Sequence, residues 1–312
     1  MRPMLVDVLG APYSAEKIQL TPDDEGEVIA TLVFRPAPAP IGAVLQIHGY
    51  SDYFYQTVAA DFWVAQGYDF YAIDLRKYGR SLLPGQTPAY VEQLDTYYEE
   101  LDAALEIISK RHEHIVVSAH STGGLTASLW VEDVKPPIAG LFLNAPWLDM
   151  ADSVLLRTAG TAVIDQVGSR QPKREIPRKV TGFYAKSIAE QWEFNPEWRP
   201  IGSFTVHAGW LRAIRRGHAR IGKGLDISCP ILVMASRRHT NPETYDDPDQ
   251  HRTDTVLDVE QIRRKAPLLG THVTTVLIDG ALHDVTLSHQ PARDQAFAEI
   301  ARWLGAYVNV AS

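Results

Sequence analysis

The chain is 312 residues long and 45% hydrophobic, with a formal net charge of −8 and a pI near 5.8. That length and apolar content exclude a disordered or fibrous chain and fit one large domain carrying an insertion, while the acidic balance excludes nucleic acid as a general partner. The single cysteine, Cys229, excludes an internal disulfide, and no apolar stretch reaches the ~20 residues that span a bilayer.

The opening M-R-P-M-L-V-D, where Asp7 breaks the apolar run, is unlike a signal peptide. A cytoplasmic protein without a transmembrane segment is expected. Val28–Phe34 is read as an antiparallel edge strand ending at the Pro-rich turn Arg35–Pro40. Ala43–Ile47 is a buried strand that runs into His48-Gly49-Tyr50. Val58–Gln66 has helical spacing and stops at Gly67. Asp69–Ile73 is the next strand. Val91–Lys110 is the longest helical pattern, with Leu94, Tyr98, Leu101, Leu105 and Ile108 on one face. Ile115–Val117 is a β-branched strand leading into a helix that runs through Trp130, and Ile138–Leu143 is a further apolar strand.

This alternation breaks at Pro146. From Trp147 to about Ser203 the pattern is irregular, with Lys173, Arg174, Arg178 and Lys179 near prolines, then Trp192, Phe194 and Trp198. Helical character returns at Trp210–Ile221. The rhythm resumes with the strand Ile231–Ala235, a polar loop Ser236–Arg252, a helix Val259–Ala266, a strand Val273–Ile278 and a helix Pro291–Tyr307. Strands apolar throughout, alternating with helices, predict a mostly parallel sheet covered on both faces. Residues 1–146 and 226–312 would form this core, and residues 147–225 a cap inserted at its C-terminal edge. Cys229, before Pro230 and a strand, is read as a small buried side chain.

The chemistry gathers around A-H-S-T-G at Ala119–Gly123, between a β-branched strand and a helix of small residues. A strand turning this sharply into a helix strains its turn residue and pushes the Ser121 side chain out above the sheet, over the helix N-terminus. Alanine at 119 suits the turn because the constraint there is size. Acyl transfer needs a nucleophile, a base, a group orienting the base and donors for the oxyanion. Ser121 is the candidate nucleophile and His283, in G-A-L-H-D beyond the last strand, the candidate base. The N–H groups of Thr122 and Tyr50 are the candidate oxyanion donors, with Gly49 letting the backbone turn.

On H-G-Y at 48–50, D-L-R-K-Y-G-R-S at 74–81, A-H-S-T-G-G at 119–124, N-A-P at 144–146 and G-A-L-H-D at 280–284, the sequence resembles the monoacylglycerol lipase-like or lysophospholipase-like serine hydrolases of the α/β-hydrolase superfamily. The resemblance covers roughly Val28–Pro146 and Asp226–Tyr307 and does not clearly extend over the cap. It implies an α/β-hydrolase fold, no cofactor and a small-molecule ester substrate with an apolar acyl group. It also implies a structural hydrogen bond for Arg76 and a turn for Gly79.

The family usually places its acid a few residues after the strand that here ends near Ala235. Ser236, Arg237 and Arg238 supply no carboxylate there. The local signature reappears after what looks like an insertion, Arg237–Thr253, as D-T-V-L-D-V-E-Q-I. Asp254 is therefore the candidate acid, with Asp258 read as a helix N-cap. Asp279 lies too close to His283 in the chain to be its usual partner.

Trp147, Trp192 and Trp198 are candidate substrate contacts on the cap, against a role in its packing. His48 is expected to prop its loop and His120 to pack or hydrogen-bond. No H-E-x-x-H occurs, so no metal site is expected. Arg212, Arg215, Arg216, Arg220 and Lys223 form a basic helical face that is a solvated surface, pairs with Asp246, Asp247 and Asp249, or attracts an anionic substrate. The reading is a serine carboxylic ester hydrolase working through an acyl-enzyme on Ser121. A peptidase, thioesterase or lysophospholipase on the same residues, and a catalytically silent ligand-binding protein, are the alternatives.

Overall fold

The computed structural model describes residues 5–150, 164–178 and 180–309. Lys179 and residues 151–163 of the expected cap lie outside the described residues.

The described strands form one nine-stranded sheet in the order β1-β2-β3-β5-β4-β6-β7-β8-β9. In chain order these are β1 (Leu5–Val6), β2 (Ser14–Asp23), β3 (Gly26–Arg35), β4 (Gly42–Ile47), β5 (Tyr68–Asp74), β6 (Ile115–His120), β7 (Gly140–Asn144), β8 (Ile231–Ser236) and β9 (Val273–Ile278). β1, β2 and β3 pair antiparallel, as do β3 and β5, and the strands from β5 through β9 are parallel. The expected edge strand at Val28–Phe34 is corrected here. It belongs to β3, which lies inside the sheet between β2 and β5.

Alternate residues of the parallel strands feed two cores. Leu45, Val117, Leu143 and Val233 point to one face, and Val44, Val116, Phe142 and Leu232 to the other. The first face is covered by α2 (Tyr98–Ser109), α3 (Thr122–Val134), α5 (Ala208–Ile221) and α6 (Val259–Lys265) through Leu101, Leu125, Ile214 and Ile262. The second is covered by α1 (Thr57–Ala65) and α7 (Gln290–Trp303) through Trp63, Ala296 and Ile300. Both faces being apolar is why these strands read as unbroken hydrophobic runs.

The expected helix Val91–Lys110 is shorter than its pattern. Regular α-helix begins at Tyr98, after a 3₁₀ turn over Leu94–Tyr97. Leu94, Tyr97, Leu101 and Leu105 are all buried. The apolar spacing marks the buried face and not the start of the hydrogen-bonded ladder.

Beyond Pro146, α4 (Phe183–Ala189) and the segment through Trp198 sit on the C-terminal ends of the strands. α5 packs into the main core against α3. A Cβ on Gly217 would come within 2.9 Å of Leu94 and 3.2 Å of Leu125 and Leu129, so glycine permits that approach. The basic face of α5 pairs locally, but not with Asp246, Asp247 or Asp249. Arg212 and Arg216 meet Asp165, and Arg220 meets Asp133. Cys229 is only half-buried, and its desolvation pushes the thiol up to about 11.

Candidate active site

Ser121 sits between β6 and α3 with φ 52° and ψ −117°, a left-handed conformation that side chains rarely adopt. Backbone hydrogen bonds hold it there. Its N–H donates to the Asn144 carbonyl at 3.1 Å, and its carbonyl accepts from Gly124 and Trp147, both at 3.0 Å. The small residues after it allow α3 to press on the sheet. A Cβ on Gly123 would lie 2.2 Å from the His48 carbonyl oxygen. Strand β4 thus sets how closely the helix approaches, and the strain at Ser121 is locked by packing.

His283 follows β9 on a loop held from below by buried polar groups. Asn144 Nδ2 donates to Asp284 Oδ1 at 2.7 Å, and the Val285 N–H donates to Asn144 Oδ1 at 3.0 Å. Asp284 also caps the short turn after it by accepting from the Thr286 N–H. Asn144 was visible in sequence only as part of N-A-P, and its task of tying the His283 loop to β7 was missed. A polar side chain ending an apolar strand was the available signal.

The loop Arg237–Thr253 closes on itself at its base. Asp254 N–H donates to the Arg238 carbonyl, and Thr240 N–H donates to the Asp254 carbonyl, both at 3.0 Å. The extra residues form a closed excursion that meets the cap, Gln250 Nε2 donating to Ser187 Oγ at 3.0 Å, and Asp254 returns just past the end of β8. Its carboxylate is buried. Oδ1 accepts from the N–H groups of Val256 and Leu257, each at 2.8 Å. Asp258 instead accepts from the Glu260 N–H as N-cap of α6.

These three elements bring Ser121, His283 and Asp254 into one line. His283 Nε2 lies 3.0 Å from Ser121 Oγ, and His283 Nδ1 lies 2.9 Å from Asp254 Oδ2. Burial pushes Asp254 toward protonation. The facing imidazole and the two N–H donors outweigh it and hold the carboxyl below its ordinary value. The arrangement lets Ser121 give its proton to Nε2 while Asp254 fixes the tautomer.

The line opens at the foot of a cavity of about 590 Å³ with a mostly apolar lining, including Trp147, Phe183, Val206, Trp210 and Leu257. Tyr50 and Thr122 also line it beside Ser121. Thr122 is the first residue of α3, where no preceding helical turn offers its N–H a carbonyl. His48 holds its loop by Nδ1 to the Gly49 carbonyl at 2.8 Å and by accepting the Leu75 N–H at Nε2. His120 turns its Nδ1 to the Asn144 carbonyl, and burial holds its imidazole below its ordinary value. Arg76 makes its structural bonds to Glu100, and Gly79 turns at φ 47°.

Of the three tryptophans, Trp147 is among the described residues lining the cavity, and Trp192 and Trp198 are placed in the packing of the cap. Trp192 donates from Nε1 to the Leu287 carbonyl at 3.1 Å and packs with Tyr53, Ile188 and Leu282. Trp198 meets Tyr53 edge-on at 5.2 Å and covers the Arg80 guanidinium. They cement the cap to the core. Among the described residues no cluster of three or more potential metal ligands occurs.

A twisted, mostly parallel sheet with helices on both faces, and a strained serine between its strand β6 and a helix, define an α/β-hydrolase. The model of the family described as "Serine aminopeptidase, S33" matches residues 38–288, and the chain belongs to that family. Among curated proteins it is similar to phospholipase YtpA of Bacillus subtilis (strain 168), 27% identical over 117 residues. That match spans 36% of this chain and 44% of the relative's length. Similar solved structures include a monoglyceride lipase from Saccharomyces cerevisiae (14% identity, TM-score 0.67, 93% of this chain and 96% of that one). Others are a monoacylglycerol lipase from Paleococcus ferrophilus (16%, 0.66, 89% and 98%) and an esterase from Thermogutta terrifontis (17%, 0.58, 93% and 98%). The fold is that of the monoacylglycerol lipase-like serine hydrolases.

Proposed function

We propose that the protein is a serine carboxylic ester hydrolase that works through an acyl-enzyme on Ser121. The observation that carries this is the hydrogen-bonded line from Ser121 Oγ through His283 to Asp254, opening into an apolar cavity. Ser121 Oγ attacks the ester carbonyl as His283 Nε2 takes its proton, forming the Oγ–C bond. The N–H groups of Tyr50 and Thr122 receive the oxyanion. The C–O bond to the alcohol breaks, and His283 returns the proton to that alcohol. A water, deprotonated by His283, then releases the acid and restores Ser121. Asp254 stays ionised throughout and stabilises the imidazolium.

Within residues 147–225, the segment around α4 through Trp198 acts as the cap while α5 covers the sheet, and the apolar surface above Ser121 takes the acyl chain. The printed activities of the similar proteins, lipase, esterase and phospholipase, agree with an ester bond. Work in the cytoplasm fits the lone cysteine, and no described helix is long and apolar enough to cross a membrane. The test is hydrolysis of p-nitrophenyl esters of increasing chain length, beside amide substrates, by wild type and Ser121→Ala. Ester turnover falling by ~10⁴-fold or more in the variant is expected. Amide turnover exceeding ester turnover, or an active variant, would remove the reading.

A further inference from the structure

Two arginines line the mostly apolar cavity. Arg199, in the cap segment after Trp198, is 6% exposed and lines the cavity. Its Nε donates to Asp52 Oδ1 at 3.1 Å, and its guanidinium lies over the Phe194 ring at 4.7 Å. Its Nη1 is buried with no hydrogen-bond partner among the described residues. Burial works against this charge, but Tyr55, Asp52 and Tyr184 facing it hold the guanidinium above its ordinary value. Arg178 lines the same cavity from an exposed position. It donates to two neutral acceptors, Ser203 Oγ at 2.6 Å and the Phe204 carbonyl at 3.3 Å. Among the described lining residues Asp52 is the only carboxylate, so two guanidinium charges face one. One Asp52 oxygen is engaged by Arg199 and the other accepts from Gln56 Nε2 at 3.3 Å. In a chain whose formal net charge is −8, a cationic surplus inside an apolar pocket is a local arrangement with a local cause.

We infer that the cap-side wall of this cavity is an anion subsite, where Arg199, assisted by Arg178 at the rim, binds a phosphate or carboxylate group on an amphiphilic ligand. A guanidinium presents several donors in a fixed plane, and among the described residues Arg199 hydrogen-bonds through Nε alone while its face packs on Tyr55, Tyr184 and Phe194. The position indicates which part of a substrate carries the anion. The Tyr184 ring lies 5.6 Å from the His283 ring and 5.7 Å from Arg199 Cζ, so one ring separates Arg199 from His283, while Arg178 Cζ lies 5.6 Å from the Tyr50 ring. His283 is where a leaving alcohol collects its proton, so the anion held by Arg199 is assigned to that alcohol. The inference deepens the ester reading and rests on it for the scissile bond. The substrate class is an ester of an apolar acid with an alcohol bearing an anionic group.

The test measures binding, so it does not depend on turnover. Decyl phosphate, undecanoate and decanol are titrated calorimetrically into the full chain, wild type and Arg199→Met. Wild type is expected to bind at least one of the two anions ten- to a hundredfold more tightly than the alcohol, the range for a hydrogen-bonded charge. The anion-to-alcohol ratio is expected to collapse toward one in Arg199→Met. An arginine that merely ties cap to core would weaken all three ligands together and leave the ratio in place, which overturns the inference. So does a wild type that binds neither anion more tightly than decanol. Which anion wins identifies the group as phosphate or carboxylate. If Arg199→Met does not fold, Arg178→Gln decides, a severalfold fall in the ratio supporting the subsite and an unchanged ratio overturning it. A ratio that behaves as expected in a protein without ester turnover would sink the ester reading alone.

Discussion

Asp254 is the residue whose replacement separates the orientation of His283 from its presence. Asparagine keeps the size and can still accept from Val256 and Leu257, but it no longer balances an imidazolium or selects its tautomer. Asp254→Asn is expected to lower kcat by ~10²–10⁴-fold with KM little changed. Asp258→Asn should leave kcat alone and shift the melting temperature slightly, because asparagine caps a helix well. Steady-state kinetics and a melting curve on both variants check this, and the opposite pattern of losses would contradict it. Ser121, His283 and Asp254 were each legible because each carries a local pattern of small residues, loop position or a following helix cap. Asn144, Asp52 and Arg199 were not. Their tasks arise only when segments distant in the chain meet, as Arg199 does with Asp52 across 147 positions.

Among the elements, the turn from β6 into α3 has the least room. Gly123→Ala would drive a methyl into the His48 carbonyl, and neither the strand backbone nor the packed helix can yield cheaply. A loss of about 3 kcal/mol or more in unfolding free energy is expected, read from urea denaturation. A stability within 1 kcal/mol of wild type would mean that the helix is not seated as described. The cap tryptophans give the converse case. Trp192→Ala with Trp198→Ala is expected to cost about 1–3 kcal/mol of stability through lost packing and leave the order of chain-length preference unaltered. A changed order in the ester panel would return them to the site. The parallel strands were legible because burial on both faces makes their sequence uniformly apolar. The hairpin β2–β3 was missed in its first half. In Ser14–Asp23 only Ile18 and Leu20 are buried, and the intervening charged and polar residues hide the strand.

At the scale of the whole molecule, a buried histidine ties stability to pH. His218 on α5 is buried. It donates from Nε2 to the Trp147 carbonyl at 2.9 Å, while its Nδ1 has no partner among the described residues. Desolvation holds it down to about 4 from the ordinary 6.5. The unfolded chain therefore takes up this proton at a higher pH than the folded one, and stability is lost as pH falls from 6.5 toward 4. About 2 kcal/mol from this group should disappear between pH 7 and pH 5. Urea midpoints at the two pH values should show a smaller drop in His218→Gln, and an equal drop would contradict the assignment. The fold, the cavity and the strained turn all converge on one atom, Ser121 Oγ, and labelling tests that most directly. Wild type incubated with a fluorophosphonate probe is expected to gain one phosphonyl group, located by peptide mass spectrometry on Ser121, and Ser121→Ala to gain none. An unlabelled wild type, or a label carried elsewhere and retained in Ser121→Ala, would contradict the account.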